Sequence, residues 1–84
     1  MLELPCDITD PLGLHVQLAV LLAGEAGRWR SRVTLSHAGR TVDARQTFDL
    51  MMLGVRPGEH VVVRVDGPDE ATAGAAIKKL LATF

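Results

Sequence analysis

At 84 residues, with 48% hydrophobic side chains and a formal charge of −1, the chain has room for one modest core and little for an elaborate multi-substrate site. Basic and acidic residues are interspersed and only 4% of residues are aromatic, which argues against electrostatic capture of nucleic acid or an anionic membrane and against base stacking. Cys6 is the single cysteine, so an intrachain disulfide is impossible and a small core residue is expected; with no basic leader and no apolar stretch of ~18 residues, a cytoplasmic protein without membrane insertion is expected.

Leu2, Leu4, Cys6 and Ile8 alternate with Glu3, Pro5 and Asp7 at the period of a half-buried strand, and Pro5, which has no N–H to donate, places that strand at a sheet edge. Residues 9–12, with Asp10-Pro11, read as loop. The apolar run Val16 to Ala26 predicts a first helix with core stripe Ala19, Leu22, Ala23 and Ala26, ended by Gly27, with Trp29 plugging the core near that end. Val33 and Leu35 alternate with Arg32 and Thr34 in a second strand, and Ala38-Gly39 turns the chain into a third over residues 40–44. A short helix starts at Gln46 or Thr47 and carries Phe48, Leu50, Met51, Met52 and Leu53 as far as Gly54.

Arg56-Pro57-Gly58-Glu59 is a turn, and Val61, Val63 and Val65 predict a last, central strand. After Gly67-Pro68, Asp69 is the expected N-cap of a final helix, with Glu70 in its first turn and Lys78 and Lys79 in its last. Its buried stripe would be Ala73, Ile77, Leu80, Leu81 and Phe84. The order β-α-β-β-α-β-α, each helix apolar on one side, predicts a single α+β domain over residues 1–84: two layers, with one antiparallel sheet and the helices on one face.

His15 stands at the mouth of the first helix, directly after Gly13-Leu14. Free backbone N–H groups in a helix's first turn, aided by the macrodipole, stabilise negative charge there, so a phosphorylated imidazole suits the position without cofactor or metal. A neutral imidazole is nucleophilic near neutral pH, and a phosphorylated one releases its phosphoryl group readily. Transfer depends on positioning and charge stabilisation, which the amides of Val16 and Gln17 would supply in part. A histidine that merely caps the helix is the plainer reading of the same residue.

Three separated motifs carry a resemblance: Gly13-Leu14-His15; Ala44-Arg45 followed by Leu50-Met51-Met52-Leu53-Gly54-Val55; and Gly67-Pro68-Asp69-Glu70-Ala71. On them the chain resembles, over nearly its whole length, the HPr family, the histidine phosphocarriers of the phosphoenolpyruvate-dependent sugar phosphotransferase system. The resemblance implies an open-faced β-sandwich with sheet order 1-4-2-3. It also implies a phosphoryl group carried on His15 from enzyme I to a sugar-specific acceptor domain.

The family signature continues Gly-Leu-His-Ala-Arg-Pro, whereas this chain reads Gly13-Leu14-His15-Val16-Gln17-Leu18. Gln17 therefore replaces the phosphate-pairing arginine and donates without charge. A charge-assisted hydrogen bond contributes on the order of 1.5–3 kcal/mol, so its loss would slow transfer about tenfold to a hundredfold unless another cation substitutes. Arg56, in the loop after the short helix, is the candidate substitute, against its reading as an ordinary solvated turn arginine. Where Gram-positive members place a regulatory serine this chain has Gln46, which excludes phosphorylation there; Thr47 reads as an N-cap and is a phosphoacceptor in principle.

In the family, helix 1 and the short helix also form the docking surface. Gly24, Gly27 and Asp49 occupy positions often basic there, while Leu18 and Leu21, off the core stripe, join Thr47, Phe48, Met51 and Met52 in an expected partner-binding surface around His15. Arg28, Arg30 and Arg32 read as a solvated edge. His37 and His60 follow no ligand spacing with Cys6 or His15 and read as solvated strand-end residues, so no metal site is expected. Two functions remain: a phosphocarrier using His15, or an HPr-like module in which His15 is not phosphorylated and the apolar surface docks another protein or a second copy.

Overall fold

The alternating apolar residues of the first segment form strand β1 (Leu2–Asp7), whose inward side chains are only half-buried because the strand lies at an edge. A computed structural model describes residues 1–83, the side chain of Thr83 excepted. Helix α1 (Val16–Ala26) follows, then strands β2 (Arg32–His37) and β3 (Arg40–Asp43), helix α2 (Thr47–Met52), strand β4 (His60–Asp66) and helix α3 (Glu70–Thr83). The 4-stranded sheet runs β1-β4-β2-β3, all neighbours antiparallel, so β4 is central as its valine run predicts and Pro5 lies on an outer strand opposite Val62.

Val61, Val63 and Val65 of β4 and Val33 and Leu35 of β2 turn one face of the sheet inward, where they meet Leu18, Ala19, Leu22, Ala26, Leu50, Ala73 and Ile77 from the helices. The opposite face is polar. Arg64 stands between Glu3 and Thr34, with its Nε 3.4 Å from a Glu3 carboxylate oxygen, and Ser36 and Thr41 hydroxyls meet at 2.7 Å. That asymmetry makes two layers, because only one side of the sheet has apolar area worth covering. Trp29 is half-buried against the core, its indole N–H donating to Glu25 at 3.0 Å. Among the described residues no helix is long and apolar enough to cross a membrane.

Some expectations are corrected. Leu18, placed off the core stripe, is 1% exposed. It belongs to the row Leu18, Leu22, Ala26 at helical i, i+4 spacing, and α1 packs against both α2 and α3, so its apolar arc is wider than one stripe. Gln46 is the N-cap of α2 and Thr47 its first helical residue, which removes the N-cap reading of Thr47. Strand β3 ends at Asp43, one residue short of the expected span. Lys78 and Lys79 lie inside α3, whose last turn has no basic residue, because Leu80 and Leu81 carry the apolar period onward. Asp69 accepts the Ala73 N–H through its backbone carbonyl at 2.9 Å, but its carboxylate bonds Arg30 and Ser31 across the fold. Phe84 lies outside the described residues.

Candidate functional site

The chain enters α1 through a turn pinned by Asp10. Its carbonyl accepts the Gly13 N–H and its carboxylate Oδ1 accepts the Leu12 N–H, both at 2.8 Å, so the segment is ordered before the helix begins. Gly13 has φ +69°, and a Cβ there would stand 2.4 Å from the Val55 carbonyl oxygen; only glycine fits. That same oxygen accepts the Leu14 N–H at 3.1 Å. Leu14 is buried, and His15 follows as the N-cap of α1, with extended backbone (φ −87°, ψ 177°) and no side-chain cap bond. The first-turn N–H groups, those of Val16 and Gln17 among them, are thus not capped by His15 and point out of the helix mouth. No acid occupies this first turn.

The His15 side chain is 18% exposed, and its Nε2 lies 3.4 Å from Asp10 Oδ2. Asp10 thus joins the candidate site from within the segment expected as loop; the Asp-Pro dipeptide signals a turn, but nothing in one dimension signals that the carboxylate returns to the imidazole.

Arg56 immediately follows Val55, and its Cα would be 3.2 Å from a Cβ on Gly13, so its backbone belongs to the rim that carries His15. The turn is held by Arg56 N–H donating to Glu59 Oε1 at 2.7 Å and by Gly58 N–H donating to Ile8 O at 2.6 Å. The Arg56 N–H bond, with lesser help from His37, lowers the Glu59 carboxyl below its ordinary value. The other arginines flanking α2 are occupied: Arg40 donates to the Met52 carbonyl at 3.2 Å, and Arg45 pairs with Asp43 at 3.0 Å, which lowers the Asp43 carboxyl. Arg56 is exposed; its charge adds a smaller part to the lowering of Glu59, and its guanidinium makes no ion pair within 4.0 Å among the described residues.

Of the expected docking residues, Leu21, Phe48, Met51 and Met52 are exposed on two helices that pack together, Phe48 reaching 71%. Thr47 is half-buried, and Leu18 is withdrawn into the core. Leu12, Val16 and Val20 are exposed instead, beside His15 and along the i, i+4 row of α1. The expectation that each helix is apolar on one side only fails for α1, where Val16, Val20 and Leu21 are exposed opposite the buried Leu18, Ala19, Leu22 and Ala26; such a helix offers a second apolar face to something else.

The other histidines stand apart. His60 is exposed and meets Asp7, whereas His37, expected to be solvated, is largely covered and lies 3.3 Å from Glu59. No group of His, Cys, Asp and Glu able to hold a metal ion occurs among the described residues. Cys6 is half-buried, and burial raises its thiol pKa, as befits a packing residue and not a nucleophile.

Comparison with known proteins agrees with the fold. A family model described as "PTS HPr component phosphorylation site" matches residues 3–83. Phosphocarrier protein HPr of Cupriavidus necator is 39% identical over 82 residues, covering 98% of this chain and 92% of the relative. The crystal structure of HPr-C-His from Thermoanaerobacter tengcongensis superposes with a TM-score of 0.94 at 29% identity, covering 99% of this chain and 93% of the other. An HPr dimer from the same organism matches at a TM-score of 0.78, again at 29% identity, with 99% and 95% covered.

Proposed function

The chain belongs to the HPr family of phosphotransferase-system phosphocarriers, and on that premise we propose that His15 accepts a phosphoryl group from enzyme I and passes it to an acceptor domain of a sugar or regulatory system. The observation that carries the reading is the placing of His15: N-cap of α1, imidazole partly open, on a turn locked to Val55. In uptake, a lone pair on an imidazole nitrogen attacks phosphorus, the new N–P bond forms, and the bond to the donor breaks with its electron pair leaving on the donor. In delivery the acceptor attacks and the pair returns to His15. The N–H groups of Val16 and Gln17, and the Gln17 amide, face the transferring oxygens, while Arg56 supplies the positive charge that Gln17 lacks.

The exposed apolar residues Leu12, Val16, Val20, Leu21, Phe48, Met51 and Met52, on the approach to α1, on α1 and on the α2 that packs against it, supply the surface on which donor and acceptor alternate. Docking by apolar contact, with few charges, fits partners of this chain whose own surfaces are less acidic than the family's usual arrangement. The cytoplasm, where phosphoenolpyruvate is available, is the matching compartment.

A second reading has its own support: with Gln17 in place of arginine, the same surface would serve a binding module, or a dimer interface, in which His15 is not phosphorylated. One experiment separates them. The purified protein is incubated with phosphoenolpyruvate and enzyme I from the same organism, and its intact mass is read under conditions that preserve phosphohistidine, with His15→Ala as control. One added phosphoryl group that the control lacks supports the carrier; none, with a demonstrably active enzyme I, supports the module.

A further inference from the structure

We propose that Asp10 is a positioning residue for His15: its carboxylate holds the imidazole as the Nε2–H tautomer and so reserves the Nδ1 lone pair for phosphorus. This inference rests on the phosphocarrier reading of His15. The geometry is specific. Asp10 Oδ1 is committed to the Leu12 N–H at 2.8 Å, which leaves Oδ2 as the oxygen 3.4 Å from His15 Nε2. The two side chains are 16% and 18% exposed, so the pair is largely shielded from water. An ionised carboxylate only accepts, so the ring nitrogen facing it is the one that carries hydrogen. The separation is long for a hydrogen bond, and such contacts shorten when the site is engaged.

The balance of the transfer gives this contact its value. When Nδ1 attacks phosphorus, the ring acquires a positive charge while the Nε2 proton stays in place; the nearby carboxylate stabilises that charge. On delivery the Nδ1–P bond breaks, its electron pair returns to Nδ1, and the proton again stays on Nε2. No proton need be taken up or released, and Asp10 faces the same Nε2–H throughout. The carboxylate sits at the ring nitrogen remote from the phosphoryl group, so it steadies the imidazolium without standing against the transferring oxygens.

The turn makes the test sharp. In Asp10→Asn the carbonyl oxygen must keep accepting the Leu12 N–H, so the amide NH2 is directed at His15 Nε2 and favours a lone pair there, the wrong tautomer. We expect nitrogen NMR of the unphosphorylated protein to show His15 as Nε2–H, and Asp10→Asn to shift it toward Nδ1–H with amide dispersion preserved. Phosphoryl uptake from enzyme I should then fall at least about tenfold, because the wrong tautomer leaves no lone pair on Nδ1. An unchanged tautomer or unchanged uptake in the variant overturns the proposal. If Asp10→Asn does not fold, the unsubstituted protein still decides: Nδ1–H there overturns it, and Nε2–H supports it. The Nε2–H form in a protein that takes up no phosphoryl group supports the hold of Asp10 on the ring while overturning the carrier reading itself.

Discussion

Gly13 and Val55 meet so closely that the Val55 carbonyl oxygen occupies the place where a Gly13 side chain would begin, 2.4 Å from an ideal Cβ. Two segments far apart in the chain thereby share one rim, and His15 is held two residues from the contact. Gly13→Ala should cost about 2–4 kcal/mol, from left-handed backbone strain together with the clash. Urea or thermal unfolding would measure it, and phosphoryl uptake should fall further than stability alone explains, because the segment that carries the imidazole must move.

Arg56 provides the clearest test of whether another cation takes the place of the family arginine. Arg56→Ala should lower the rate of phosphoryl uptake about tenfold to a hundredfold, the kinetic equivalent of a charge-assisted hydrogen bond, with little change in melting temperature. Arg56→Lys should recover part of the rate. Uptake unaffected by Arg56→Ala would remove this residue from the transfer step.

Leu18 and Phe48 should behave as opposites although both are large apolar residues on the two helices that pack together, α1 and α2. Leu18→Ala opens a cavity in the core and should cost about 2–5 kcal/mol of stability. Phe48→Ala and Met52→Ala, on the exposed surface, should leave unfolding nearly unchanged and raise KM for enzyme I, measured by varying the phosphocarrier concentration.

Ala38 has φ 50° in the hairpin turn between β2 and β3, a conformation that costs an ordinary side chain energy and glycine or asparagine less. It is exposed, so no contact is lost on substitution. Ala38→Gly and Ala38→Asn should each stabilise the protein by about 0.5–1 kcal/mol, read as a higher denaturation midpoint at unchanged slope.

Acid should loosen the junction between the β2 approach and α3. The Ser31 hydroxyl, with the N–H groups of Arg30 and Ser31, lowers the Asp69 carboxyl below its ordinary value of 3.8. A carboxyl lowered in the folded state stabilises fully above its unfolded value, and that contribution is lost as pH falls through the folded one. The stability difference between the unsubstituted protein and Asp69→Asn should therefore hold constant above about pH 5 and shrink progressively below pH 3.8. Melting temperatures across that range would check it.

Element order, the inward valines of β4 and the edge position of β1 were legible in the chain because they follow from local periodicity and from the missing N–H of Pro5. His15 was legible for the same kind of reason, standing where an apolar helical run begins after a glycine. What the chain could not disclose is which side of a nearly all-apolar helix meets its neighbours: α1 packs on α2 and α3 at once, and that places Leu18 inside and Val16 and Val20 outside. Nor could it show that the Asp10 carboxylate turns back on His15, or that Val55 lies against Gly13. Helical and strand periods are properties of one segment, whereas these contacts exist only where separate segments converge, and their geometry is decided by packing.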